Sequence, residues 1–333
     1  MPFPSDQAIL IYNPMAGFGE WERLIRAEAA LWRDEGWHVT LQPTQRAGHA
    51  RELAEAAASA GVGLVLAAGG DGTLNEAANG LAHSETVLAL LPVGTANSFA
   101  KELRLPRPNW LNMAWLTETT YALMNGHIHR VDMGRCADGR RWLLWAGTGL
   151  DGFVVQRIEP RSPQFKRFGP AGYLFKALLT LPEFPGMHAT VQVDEQTVDG
   201  DFVLVTAINC RLFAGGELLL NQRGVMDDGQ IEVWCFRGQQ WADIMRYTVQ
   251  VGLSAHTQNP NIERLSGQSV AIHTDAPMPY HLDGEPAGDT PFYCTVEPRA
   301  LRLLVPDTAP SNMFQRAGEA LPLPSGAPSR KTG

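Results

Sequence analysis

Three short segments of this chain combine glycine with polar side chains in an order suited to a polyphosphate. They are Asn13-Pro14-Met15-Ala16-Gly17, Gly69-Gly70-Asp71-Gly72-Thr73-Leu74-Asn75-Glu76 and Leu91-Pro92-Val93-Gly94-Thr95-Ala96-Asn97. Glycine lets the backbone approach phosphate oxygens, and a helix starting near Thr73 would add unpaired N–H groups and the positive end of its dipole. No G-x-x-x-x-G-K-[ST] occurs and no G-x-G-x-x-G is expected after a strand, so the cradle would be of another type. The plain structural reading of Gly69-Gly70-Asp71-Gly72 is a tight strand-to-helix turn with Asp71 as a cap.

The elements that must position these loops follow from periodicity. Over 1–130, short apolar runs at 8–12, 37–42, 64–68 and 87–91 alternate with helical patterns at 22–35 and 49–60 and with a third helix carrying Leu74, Ala77, Ala78 and Leu81 on one face. That alternation predicts βαβ units and a largely parallel sheet, with ligands outside the carboxyl ends of its strands, where all three loops fall. Beyond 130 the pattern becomes strand after strand, at 190–193, 202–208, 231–236, 270–274, 278–282, 292–296 and 301–305, with helical insertions at 172–181 and 241–253. An antiparallel sandwich or barrel is expected there, with Ile231, Val233 and Cys235 facing inward from a half-buried strand. The composition of 307–333, rich in Pro, Ser, Gly and Ala, predicts a disordered tail.

With 333 residues the chain has length for two domains. Its net charge of -8 argues against a nucleic-acid partner but leaves room for a small phosphorylated ligand. Cys136, Cys210, Cys235 and Cys294 lie far apart with no zinc-site spacing, which fits a reducing, cytoplasmic setting. Neither a secretory leader nor an apolar run of about 20 residues is legible, so any meeting with a membrane would be at its surface.

GGDGTLNE followed about twenty residues later by LPVGTAN resembles the diacylglycerol kinase catalytic-domain family, which includes bacterial lipid kinases, sphingosine kinases and ceramide kinases. The resemblance spans about residues 6–306. It implies an α/β amino-terminal domain over 1–130, similar to NAD kinases and phosphofructokinases and binding ATP, and an antiparallel β-sandwich over 131–306 that completes a cleft. Carried over by position, it assigns Asn13, Pro14 and Gly17 to a first nucleotide loop and Thr44 to the stretch after the second strand. Gly69, Gly70, Gly72, Thr73, Asn75 and Glu76 match the phosphate loop, and Gly94, Thr95 and Asn97 the following motif. Ser98 stands where the family often has Asp.

The same resemblance makes Asp132 and Asp151 cleft carboxylates, and Asp228 a Mg²⁺ ligand with the backbone carbonyls of Val225 and Gln230. Asp227-Asp228-Gly229 also reads as a hairpin turn, as does Asp283-Gly284. In family terms, Leu282-Asp283-Gly284-Glu285 is the catalytic element, with Glu285 taking the proton of the acceptor hydroxyl and Asp283 orienting it or the metal. Asp71 competes for the role of base or metal ligand. The implied reaction moves the γ-phosphoryl group of ATP, with Mg²⁺, to a lipid hydroxyl, diacylglycerol first. An NAD kinase and a catalytically silent lipid-binding protein are the alternatives.

Within 157–176, Arg157, Arg161, Lys166, Arg167 and Lys176 face only one acid, Glu159, with Phe165, Phe168, Tyr173 and Phe175 interleaved. Such a segment suits anionic headgroups on the inner face of a membrane, or else a solvated helix with its aromatics in the core. A homodimer is compatible with the sequence.

Overall fold

The computed structural model describes residues 3–16, 22–108, 112, 114–158, 181–322 and 324. In the amino-terminal part, strand β1 (Gln7–Tyr12), helix α1 (Glu22–Asp34), β2 (His38–Pro43), α2 (His49–Ser59), β3 (Leu64–Gly69), α3 (Asp71–Leu81) and β4 (Val87–Pro92) alternate. The strands are parallel and ordered β2-β1-β3-β4. Every residue of β3 and β4 is buried, as parallel strands covered on both faces require. Helix α1 buries Ile25, Ala29 and Trp32 along one stripe. At the contact of α2 with α3, a β-carbon on Gly80 would lie 2.5 Å from the Arg51 carbonyl oxygen, so only glycine permits that approach.

The chain visits β2 on one side of β1 and then β3 on the other. This reversal makes the carboxyl ends of β1 and β3 the topological switch point, where a crevice opens in open α/β sheets. There the Asn13 N–H donates to the Ala68 carbonyl at 3.1 Å, joining the first two loops. Helices α4 (Ser98–Glu102) and α5 (Trp115–Met124) follow, and β5 (His127–Cys136) leads onward.

The second part holds β6 (Arg141–Trp142), β7 (Trp145–Gly149), α6 (Leu150–Ile158), β8 (Met187–Val193), β9 (Gln196–Ile208), β10 (Leu212–Phe213), β11 (Leu218–Leu219) and β12 (Ile231–Arg237). After them come α7 (Trp241–Gly252), β13 (Ile262–Gly267), β14 (Ser269–Thr274), β15 (Pro279–Leu282), β16 (Glu285–Asp289) and β17 (Phe292–Val305). The described pairings among β6–β16 are antiparallel, and β9 serves β8 with its first half and both β7 and β12 with its second. Strand β12 departs from the half-buried expectation: Trp234 and Phe236 are buried as well, because Tyr247 of α7 covers Phe236 and His256 lies beside Trp234.

The two compact units are Met1–Val131 with Arg299–Gly333, and Asp132–Pro298. The second unit ends at 298 rather than at 306 because 292–296 and 301–305 form the single strand β17, whose Arg302 and Leu303 pair in parallel with Val87 and Leu88 of β4. Nor is the stretch 306–322 a disordered tail. Met313 is fully buried, Phe314 stacks on His129 at 3.9 Å, and β18 (Glu319–Ala320) pairs with β5. The helix expected over 172–181 and the basic segment 157–176 lie outside the described residues apart from Arg157, Ile158 and Leu181. All four cysteines are buried and unbridged, and among the described residues no helix is long and apolar enough to cross a membrane.

Candidate active site

In the amino-terminal unit, Gly70 caps α3 in extended conformation and Gly72 and Thr73 occupy the first turn. The Gly69 carbonyl accepts from both Val93 and Gly94 N–H at 3.1 Å, tying the end of β3 to the loop after β4. A β-carbon on Gly69 would sit 2.4 Å from the Thr73 side chain, so that residue must be glycine for the turn to close. A helix start beside such a glycine turn is an arrangement that accepts phosphate.

Asp71 does not cap its own helix, although the turn reading expected it to: the N-cap of α3 is Gly70, with no side-chain hydrogen bond there. The two Asp71 oxygens accept the N–H groups of Ser98 and Phe99 at 3.0 and 3.1 Å, so the carboxylate holds the start of α4. Ser98 thus contributes its backbone N–H here. Asn97, at φ 50, donates to the Pro92 and Gly94 carbonyls, and its Oδ1 is buried without a partner among the described residues. Thr95 lies half-buried in the same loop.

Other expected nucleotide residues are placed differently. Glu76 accepts the N–H groups of Gly48 and Ala50 at 2.8 and 3.0 Å and so anchors the start of α2. The Asn75 side chain accepts from Asn79 at 2.5 Å. Asn13 folds its side chain back to accept the Met15 N–H at 2.9 Å, which turns the chain at Pro14, and the Thr44 N–H bonds the Tyr12 carbonyl at 2.8 Å. Gly17 lies outside the described residues.

In the second unit Asp283 and Gly284 have φ of 48 and 84 and join Leu282 to its partner Glu285, a two-residue hairpin of type I′. The turn reading of Asp283-Gly284 is thus the one observed. The Asp283 carboxylate accepts three backbone N–H groups, from Leu143 at 2.7 Å, Leu144 at 2.8 Å and Trp145 at 3.0 Å. Burial pushes its carboxyl up to about 6 against the downward pull of those bonds. Glu285 is exposed at the start of β16. Beneath the turn, buried His281 stands 3.0 Å from Asp151 and accepts the Gly284 N–H at 3.2 Å.

Asp132 departs from expectation, since it is fully buried rather than lining a cleft. Its carboxylate accepts the Gly229 N–H at 2.6 Å, and its own N–H donates to the Met226 carbonyl. That shapes the loop around Asp228, which accepts the Gln230 N–H at 3.0 Å. No hairpin forms there, because β12 pairs with β9 and β13 instead.

The pattern described as "Diacylglycerol kinase catalytic domain" matches residues 7–136, and that described as "YegS C-terminal NAD kinase beta sandwich-like domain" matches 146–305. The chain belongs to the diacylglycerol kinase catalytic-domain family. This kinase is 26% identical over 288 residues to a protein named diacylglycerol kinase of Staphylococcus carnosus, covering 86% of this chain and 90% of that one. It is 29% identical over 311 residues to a protein of Cronobacter sakazakii named probable lipid kinase YegS-like, covering 91% and 97%. In fold it matches the crystal structure of a putative diacylglycerol kinase from Bacillus anthracis with a TM-score of 0.72 at 21% identity, covering 92% and 99% of the two chains.

Among the described residues of the kinase no three or more His, Cys, Asp or Glu side chains gather at one point. The Mg²⁺ donors expected at 225–230 are of another kind, one carboxylate with two backbone carbonyls, all hard oxygens. They fit a cation on one further count: burial and the neighbouring Asp227 raise the Asp228 carboxyl, a penalty that a bound metal would offset.

The expectation that no G-x-G-x-x-G follows a strand is wrong. Gly147-Thr148-Gly149-Leu150-Asp151-Gly152 is a G-x-G-x-x-G between a strand and a helix. Its strand is antiparallel to both neighbours, and its glycine spaces are filled by protein: β-carbons there would meet Asp151 Oδ2 at 2.1 Å, the Val203 carbonyl at 2.7 Å and the Pro279 carbonyl at 2.1 Å. The glycines serve close packing of α6, not a dinucleotide.

Proposed function

We propose that this kinase transfers the γ-phosphoryl group of ATP to the hydroxyl of a membrane lipid, with diacylglycerol as the acceptor and phosphatidic acid as the product. The observation that carries the reading is the Asp283-Gly284 hairpin, which exposes Glu285 while three backbone N–H groups immobilise the carboxylate two residues before it. The names of the relatives supply the class of acceptor.

Phosphoryl transfer asks the protein mostly for positioning and charge neutralisation. The α3 start and the Gly70 and Gly94 backbones hold the phosphates, and Asp71 keeps the Thr95-Ala96-Asn97 loop in place by gripping α4. The acceptor oxygen forms its bond to the γ-phosphorus as the bond to the β–γ bridging oxygen breaks, and ADP departs. A carboxylate is too weak to ionise a free alcohol, so Glu285 takes the hydroxyl proton only as the transition state makes it acidic. Asp283 orients the turn. Mg²⁺ would be held by Asp228 with the Val225 and Gln230 carbonyls, where it would stiffen the loop that Asp132 shapes.

The lipid is met at the membrane surface, a reading that rests on the basic and aromatic composition of 157–176. ATP consumption by the purified protein, with and without a total lipid extract and with NAD, tests the assignment. Lipid-dependent turnover with phosphatidic acid identified by mass spectrometry is expected. NAD-dependent turnover would establish the NAD kinase alternative, and no turnover with either would establish a silent binding protein.

A further inference from the structure

We infer that Asp151 and His281 form a positioning pair that sets the Gly284 N–H, and through it the placement of Glu285. The inference rests on the reading of Glu285 as proton acceptor and extends it to two residues that do not touch the reacting atoms.

The geometry starts from a missing side chain. His281 of β15 lies directly opposite Gly147 of β7 in the antiparallel register, so the two would project side chains on the same face. Gly147 has none, and the space is taken by Asp151, whose Oδ2 lies 2.1 Å from where a β-carbon on Gly147 would stand. The Gly152 N–H donates to Asp151 Oδ1 at 2.7 Å and fixes the other end of that carboxylate. Asp151 Oδ2 then meets His281 Nε2 at 3.0 Å.

The other ring nitrogen decides the tautomer. Nδ1 accepts the Gly284 N–H at 3.2 Å and so carries no hydrogen of its own; the hydrogen is on Nε2, which donates to Asp151. His281 is 1% exposed and Asp151 is 17% exposed at its side chain, so the chain of bonds from α6 to the turn is shielded from competing water. A type I′ turn is set by its two central residues, and Gly284, at φ 84, is the freer of them. Holding its N–H against a buried ring removes that freedom immediately before Glu285. A general base must stand within hydrogen-bond reach of its proton, which gives this restraint a catalytic consequence.

The experiment uses the full chain with ATP and vesicle-borne diacylglycerol. His281→Ala is expected to lower kcat by about ten-fold or more with KM for ATP unchanged. His281→Asn places an amide oxygen near the Nδ1 position, and is expected to recover most of that loss. In a Glu285→Gln background His281→Ala should have no further effect, a non-additivity that mere loss of stability would not produce. Wild-type kcat in His281→Ala, equal impairment of the Ala and Asn variants, or additive losses would each overturn the role.

Should the variants fail to fold, ¹⁵N spectra of the wild-type imidazole decide. A hydrogen on Nε2 alone is expected, and a hydrogen on Nδ1 would overturn the proposal. A wild type that shows the expected tautomer but no lipid-dependent turnover would instead sink the lipid-kinase reading, and the positioning role with it.

Discussion

A β-carbon on Gly94 would stand 2.4 Å from the α-carbon of Gly70, so the two glycine loops of the amino-terminal unit touch backbone to backbone. Gly94→Ala must therefore separate them. Overpacking of this kind costs about 1–3 kcal/mol, and a ~1 Å displacement at a reacting group can cost ~10²-fold. The expected result is a KM for ATP raised by about ten-fold or more, read by steady-state kinetics, with a lowered unfolding midpoint. Gly252→Ala, where nothing lies within 4 Å of the added carbon, is the control and should leave both unchanged.

Asp71 holds two N–H groups of α4. Asp71→Ala should destabilise the protein by about 1 kcal/mol, the cost of a lost helix cap. Asp71→Asn, which keeps one acceptor, should lose less stability while turnover still falls by ~10²-fold. Urea unfolding together with kcat checks the pair of values, and wild-type turnover in Asp71→Asn removes the residue from the mechanism.

Glu285 is exposed at a strand start, so Glu285→Gln should leave the unfolding midpoint within about 0.5 kcal/mol of wild type. Turnover should fall by ~10²-fold or more with ATP binding intact. A folded variant that still turns over normally would mean that another group takes the proton.

Asp283 provides a pH signature. Burial raises its carboxyl from 3.8 to about 6 in the folded protein, so the folded state holds the proton more tightly than the unfolded chain. The ionised form therefore costs stability, fully so above about pH 6, and the cost disappears as pH falls towards 4. Relative to Asp283→Asn, wild type should gain stability between pH 7 and pH 4.5, on the order of 3 kcal/mol at most. Urea midpoints of the two proteins across that range measure the difference, and a wild type that fails to gain stability relative to Asp283→Asn on acidification contradicts the burial argument.

Met313 lies fully buried in a stretch whose composition suggests disorder. Met313→Ala should cost about 2–5 kcal/mol, the range for emptying a core methionine site. A change below about 0.5 kcal/mol in urea unfolding would show that the segment does not pack in solution.

Much of the amino-terminal unit was legible because its signals are local. The strand expected over 64–68 is Leu64–Gly69, and the helix expected over 22–35 is Glu22–Asp34. Strand β17 was not legible as one element, because Glu297-Pro298-Arg299 breaks its apolar pattern where the chain passes from one unit to the other. The G-x-G-x-x-G at 147–152 was not expected after a strand, and its glycines make room for Asp151 and for two carbonyls that only the fold brings there.

The sequence alone determined the inventory: which carboxylates exist, which loops follow strands, and that Asp283-Gly284 must turn. Those follow from residue type and from spacings of a few residues, where propensity and turn chemistry act. Only the tertiary structure decided what each carboxylate holds, because the partners are remote along the chain. Asp71 meets Ser98 27 residues away, Asp132 meets Gly229 97 residues away, and Asp283 meets Leu143 140 residues away. A buried carboxylate must find donors wherever the fold brings them, and no local pattern encodes that choice.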